Sequence, residues 1–192
     1  MAFLTADQLR NIGFKKLGRE VRISERAVFY NAANIEIGDH SRIDDFAILS
    51  AGKGGIVMGR YVHIAVYCSL MGAARIELQD FSGLSSRVAM YSSNDDYSGS
   101  ALTNPCVPSD FTNVRHAPVL LGRHAIVGAA SVILPGVTLY EGAAVGAFSL
   151  VTKDCDAFQV YCGQPARRLK ARKRDLLDSE RRLEAKVREA AE

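Results

Sequence analysis

The chain has 192 residues, enough for one domain with appendages around a continuous core. Its 48% hydrophobic content includes no apolar run near 18 residues, which excludes a membrane-spanning helix. The net charge of +3 sits at one end. Residues 167–192 carry ten basic and six acidic groups, so the body is near neutral and offers no basic face to nucleic acid.

Residues 1–20 read as an N-terminal cap, with Thr5 as N-cap of two helical turns. No basic segment precedes a long apolar core there, so a secretory signal is not expected. From Ile23 onward aliphatic residues recur every sixth position: Ile23, Phe29, Ile35; Ile37, Ile43, Leu49; Met58, Ile64, Leu70; Leu78, Leu84, Met90. The frame slips between these groups, where a phrase such as Ile35-Glu-Ile37-Gly-Asp or Val119-Leu-Leu121-Gly-Arg recurs. Residues 91–118 break the frame with a run of turn formers, too long for an ordinary corner, and read as a functional loop ordered by Tyr97 and Phe111. The cleanest run follows: Leu121, Val127, Ile133, Leu139, Val145, Val151, with a small or β-branched residue four places after most of them. Helices repeat at 3.6 and strands at 2, so a period of six demands a higher-order coil. A chain that turns a corner every six residues builds a triangular prism of stacked parallel strands. The expected architecture is therefore an all-β solenoid of about six coils over residues 21–165, with the insertion at 91–118. Residues 166–192 read as a C-terminal α-helix with Leu169, Leu176, Leu177, Leu183 and Val187 as its apolar stripe.

Cys68, Cys106, Cys155 and Cys162 form no C-x-x-C pair, which suits a reducing, cytoplasmic location. The four histidines include no paired-histidine coil, so no metal is expected, and a three-histidine metal enzyme or an empty scaffold is disfavoured. His40 and His124 occupy variable repeat positions and read as exposed.

The coil periodicity, the run from Leu121 to Leu139, Val145-Gly-Ala-Phe-Ser-Leu-Val-Thr-Lys-Asp and Gly163-Gln-Pro-Ala-Arg-Arg together resemble the hexapeptide-repeat acyltransferases. The similarity is to the branch with galactoside O-acetyltransferases and O-antigen sugar acetyltransferases. It implies a left-handed β-helix, a homotrimer with sites between subunits, and acetyl-CoA along the C-terminal coils. Carried over by position, Gly128, Ser131, Gly146 and Ser149 fall beside the pantetheine arm, and Thr152 and Lys153 at a CoA phosphate. Arg167 or Arg168 falls at the adenosine phosphate.

The galactoside enzymes place a histidine base in the loop after the coil ending here at Met90. This chain has Tyr91-Ser-Ser-Asn-Asp-Asp-Tyr97 instead. A hydroxyl acceptor benefits strongly from an imidazole base, whereas an amine needs only orientation and a proton acceptor. Asp95 or Asp96 is the candidate base, with Tyr91, Asn94 and Tyr97 around the sugar. The competing reading of Asn94–Tyr97 is an Asx-turn that holds the loop. The phrase from Ser85 to Gly99 resembles enzymes that acetylate the 4-amino group of GDP-perosamine, so the expected acceptor is a nucleotide-linked amino sugar. The alternative is sugar O-acetylation with His63 or His116 as base.

Overall fold

A computed structural model of the protein describes residues 2–189. Thr5 caps α1 (Ala6–Ile12) through a capping box with Gln8, and Gly13 ends the helix in the left-handed conformation. The chain then winds into three parallel sheets, one per side of a prism. The first side stacks Lys16–Leu17, Ile35–Ile37, Ile56–Met58, Ile76–Leu78, Val119–Leu121 and Thr138–Leu139. The second stacks Arg22–Ile23, Arg42–Ile43, His63–Ile64, Gly83–Leu84, Ile126–Val127, Ala144–Val145 and Gln159–Cys162. The third stacks Val28–Tyr30, Ile48–Ala51, Ser69–Gly72, Ala89–Tyr91, Val132–Ile133 and Leu150–Val151. Six coils are complete, and Cys155, bridged to Leu139, opens a partial seventh.

The period of six has a direct cause in the corners. Three residues after many of the inward aliphatics of the first and second sides stands a left-handed residue: His40, Phe46, Tyr61, Tyr67, Phe81, Arg87, His124, Ala130 and Phe148, with φ of 55–62°. The next position is enclosed, so it is small or β-branched: Ser41, Ala47, Val62, Cys68, Ser82, Val88, Ala125, Ser131 and Ser149 are all buried. A left-handed backbone costs a non-glycine residue free energy. Here the rings stack from coil to coil, His40 on Tyr61 at 4.7 Å, Tyr61 on Phe81 at 4.9 Å and Phe81 on His124 at 5.2 Å. Such stacking offsets part of the cost. The inward aliphatics, among them Ile23, Ile43, Ile64, Leu84 and Val127, form one continuous core, each contributing roughly 1.5–3 kcal/mol by burial.

Three expectations change. The coil frame starts at Lys16, inside the segment read as cap, because Lys16–Leu17 pairs with Glu36–Ile37. The helix does not begin at 166: Arg167–Ala171 turns back as an antiparallel strand on Gln159–Cys162, satisfying backbone groups that a helix would have paired internally. α2 spans Leu176–Glu189 and has no buried residue among those described, with Leu183 and Val187 exposed. Polar contacts hold it instead. Glu180 meets Arg123 and, at 2.8 Å, His124 Nε2, while Glu184 meets Arg60 at 3.3 Å. His124 is accordingly buried rather than exposed. Residues 190–192 of the expected helix lie outside the described residues.

Candidate functional site

Along the outer surface of the second side the register aligns Arg42, His63, Gly83, Ile126 and Ala144 in one column. Asp44, at the adjoining corner, is buried and receives Arg42 Nε at 2.6 Å and His63 Nε2 at 2.9 Å. Burial alone raises the Asp44 carboxyl, but the two hydrogen bonds outweigh it and hold the group below its ordinary value. An ionised carboxylate only accepts, so His63 carries its Nε2 proton toward Asp44 when neutral and presents Nδ1 as an acceptor. A concavity beside this dyad is lined by His63, Ala65, Gly83, Leu84, Ser85, Ser86 and Ile126. The backbone carbonyls of Ser85 and Ser86 accept from Cys68 Sγ and the Ala130 amide. Their hydroxyls have no protein partner among the described residues.

The insertion at 92–118 leaves the stack intact, since Ile76–Leu78 pairs with Val119–Leu121 as if nothing intervened. Its stalk is a two-residue antiparallel pair, Ser93–Asn94 on Arg115–His116. His116 Nδ1 lies 2.8 Å from Ser93 Oγ, which also accepts the Ala73 amide at 2.8 Å. His116 is thus tied into the stalk. The two neighbouring aspartates separate sharply. Asp96 accepts from the Ser98 hydroxyl at 2.7 Å, the Ser100 hydroxyl at 2.9 Å and the amides of Ser98, Ser100 and Ala101 at 3.0–3.1 Å. The Ser98 contacts first, then Ser100 and Ala101, hold its carboxyl far below the ordinary value. Asp96 is the knot of the loop, as the Asx-turn reading describes, and a poor base. Asp95, half-buried one residue earlier, has a carboxylate with no protein partner among the described residues. Asn94 closes the stalk, Tyr91 ends a third-side strand opposite Met71, and Tyr97 is 88% exposed.

The expected cofactor positions divide similarly. Ser131 and Ser149 are buried, and both hydroxyls donate to the Gly146 carbonyl, at 3.0 and 2.8 Å. The same oxygens accept the amides of Ser149 and Gly163. The Gly128 and Gly146 amides donate to Val145 and Tyr161 carbonyls of the next coil. These four positions hold the corner together through their own hydroxyl and amide hydrogen bonds. Thr152 and Lys153 are exposed beyond Leu150–Val151, and the Lys153 ammonium has no ion pair among the described residues. Arg167 and Arg168 are exposed on the returning strand.

Within one chain Asp95 and the His63–Ser85 concavity are not brought together. Asp95 follows the third side, whereas His63 and Ser85 lie at the second. The Asp44 partnership and Gly83 were missed from sequence. The available signal was a glycine at an outward hexad position that other coils fill with a side chain. Among the described residues no cluster of three His, Cys, Asp or Glu side chains is placed to hold a metal, and no helix is long and apolar enough to cross a membrane.

No protein-family model matches the chain. It is 48% identical over 180 residues to the dTDP-4-amino-4,6-dideoxy-D-glucose acyltransferase of Escherichia coli, covering 94% of each. It superposes with a TM-score of 0.93 and 42% identity on AntD, an N-acyltransferase from Bacillus cereus in complex with dTDP and 3-hydroxybutyryl-CoA, covering 97% of this chain and 98% of that one. AntD has also been crystallised with one serine or one aspartate replaced, with dTDP-4-amino-4,6-dideoxyglucose and coenzyme A bound to two of the serine variants. A maltose O-acetyltransferase from Clostridium difficile, 21% identical with a TM-score of 0.60, covers 88% of this chain and 74% of that one and shares the fold alone. The stack of hexad coils, the loop set into its fourth turn and these full-length similarities lead to one family: the chain is a member of the β-helix acyltransferases of the hexapeptide-repeat type.

Proposed function

We propose that the enzyme transfers an acyl group from coenzyme A to the 4-amino group of a dTDP-linked 4-amino-4,6-dideoxyhexose. The observation that carries this reading is Asp95, a carboxylate without a protein partner in the position where an O-acetyltransferase needs imidazole. The expected guanosine acceptor gives way to a thymidine one, since the E. coli relative is named for a dTDP sugar and AntD is crystallised with dTDP. The physical reason is that Asp95 addresses the amine at C4 of the sugar, a position the thymidine- and guanosine-linked acceptors share.

The neutral amine attacks the thioester carbonyl, Asp95 accepts the proton released as the C–N bond forms, and the C–S bond breaks to release the CoA thiolate, which takes up a proton from solvent as Asp95 returns its own to solvent. Asp95 also orients the amine for attack. The serine and aspartate replaced in AntD stand ten positions apart, as do Ser85 and Asp95 here. Ser86 and Asp96 share that spacing, but the hydrogen bonds that engage the Asp96 carboxylate favour Asp95 in this reading. Lys153 with Arg167 or Arg168 meets CoA phosphates in this reading. Because Asp95 and the Ser85 concavity occupy different corners of one chain, a complete site requires neighbouring copies, and a closed trimer of roughly 63 kDa from chains of 20.9 kDa supplies them.

Thiol release with an acyl-CoA donor tests the reading against a panel of dTDP- and GDP-linked amino sugars. Turnover confined to the thymidine-linked 4-amino sugars is expected. Acylation of a hydroxyl sugar at equal rate, with His63→Ala inactive and Asp95→Asn near wild type, would return the base to imidazole and the reaction to O-acylation.

A further inference from the structure

Of the sixteen glycines, Gly83 alone has no structural reason to be glycine. Seven of the others adopt positive φ, and the remaining eight would set a Cβ no more than 3.1 Å from an atom of another residue. A Cβ on Gly83 meets only the His63 carbonyl oxygen, at 3.8 Å, and its φ lies outside the left-handed range. It sits in a strand, where glycine costs entropy and packs nothing. The same slot holds Arg22, Arg42, His63, Ile126, Ala144 and Val160 in the other coils, all with side chains. A notch therefore opens on the outer surface, with Gly83 as floor and His63 and Ile126 as walls. Glycine in a strand without a bulge marks the close approach of something outside the strand.

Resting on the acyl-transfer reading above, we infer that this notch receives the acyl group of the donor thioester, and that it is shaped for a short chain longer than acetyl with a 3-hydroxyl. Gly83 and Ser85 project to the same side of the strand, roughly 7 Å apart along it. A thioester carbonyl beside Ser85 directs a four-carbon acyl chain over Gly83, whereas an acetyl methyl stops short. Ile126, 44% exposed, and Ala65 give the chain apolar contact. His63 Nδ1, left as an acceptor by the Nε2 bond to Asp44, faces no protein partner among the described residues and accepts the 3-hydroxyl proton. AntD binding 3-hydroxybutyryl-CoA shows that a relative of this shape takes such a donor.

The test measures kcat/KM for acetyl-, butyryl- and 3-hydroxybutyryl-CoA with dTDP-4-amino-4,6-dideoxyglucose, in wild type, Gly83→Ala, Gly83→Val and His63→Phe. Gly83→Val should lower the ratio of 3-hydroxybutyryl to acetyl transfer at least 30-fold, with Gly83→Ala intermediate. His63→Phe should lower the ratio of 3-hydroxybutyryl to butyryl transfer three- to tenfold, the effect of one neutral hydrogen bond. Light scattering should give both glycine variants the wild-type mass. If the Gly83 variants lose all donors in proportion, keep the wild-type ratio or change their mass, the notch serves donor binding in general, nothing, or a second copy, and the acyl assignment is wrong. If the wild type releases no thiol with any donor, the acyl-transfer reading falls first and the notch assignment with it.

Discussion

In the coils, several corner serines are engaged by the next coil. Ser41 donates to the Gly59 carbonyl at 2.9 Å and accepts the Val62 amide, and one side on Ser131 donates to the Gly146 carbonyl and accepts the Ser149 amide. In the insertion at 92–118, one aspartate gathers the serine hydroxyls and amides around itself and leaves its neighbour exposed to whatever arrives. The stack and the loop thus use polar groups in opposite ways. At these corners the demand recurs from turn to turn, so the hydrogen-bonding capacity of Ser41, Ser131 and Ser149 is consumed. In the reading proposed above, chemistry is left to the places where the repeat is broken, namely the loop and the Gly83 slot.

The contrast breaks most visibly at Asp95. Asp95→Asn should lower kcat by roughly 10²–10⁴ with acceptor KM little changed, the loss expected when a general base is removed. Steady-state kinetics checks this, and the pH profile should rise through the pKa of the sugar ammonium, because only the free amine attacks. In the stack, Ile64→Ala should cost about 2–5 kcal/mol by urea unfolding, because Ile64 is fully buried and the rigid coil cannot collapse around the cavity. Lys153→Ala should raise KM for the acyl-CoA about tenfold, one lost charge contact, with kcat held, since that contact is the same in ground and transition states. A hundredfold fall in kcat at constant KM would remove CoA from the last coils.

The smallest thermodynamic effect sharpens the comparison. Asp96→Ala should shift Tm by about 2 °C or less, as for other exposed positions. Limited proteolysis should nevertheless cut more rapidly within 92–118, because the knot is gone. Since the folded Asp96 carboxyl lies below its ordinary 3.8, its hold on the loop is complete well above that pH and is lost as the pH falls below it. The wild-type loop should therefore become more cleavable toward pH 3, assayed with an acid-stable protease, while Asp96→Ala shows no such dependence.

The coils were legible because the aliphatic recurs at every hexad, and on the first and second sides most hexads add a left-handed corner and a small or β-branched residue one place later. α2 was legible as a helix but not in its attachment, because Arg60, Arg123 and His124 lie far from it in sequence and its apolar stripe is not what docks it. Residues 167–171 favour helix locally, and only pairing with Gln159–Cys162 makes them a strand. Asp95 and Asp96 are identical in type and adjacent, so nothing in their spacing divides their roles. The division comes from where the Ser98 and Ser100 hydroxyls fold back.

The returning strand Arg167–Ala171 has a consequence for how copies of the protein avoid one another. A parallel stack ends in an open row of backbone donors and acceptors, able to recruit the first coil of another molecule and extend into a fibre. On the second side, Gln159–Cys162 is covered by a strand running the opposite way, so the parallel pattern cannot propagate past it. The outermost strand carries Arg167, Arg168 and Lys170, a like-charged border that a second border of the same kind repels. Growth at this side is stopped by polarity and by charge together.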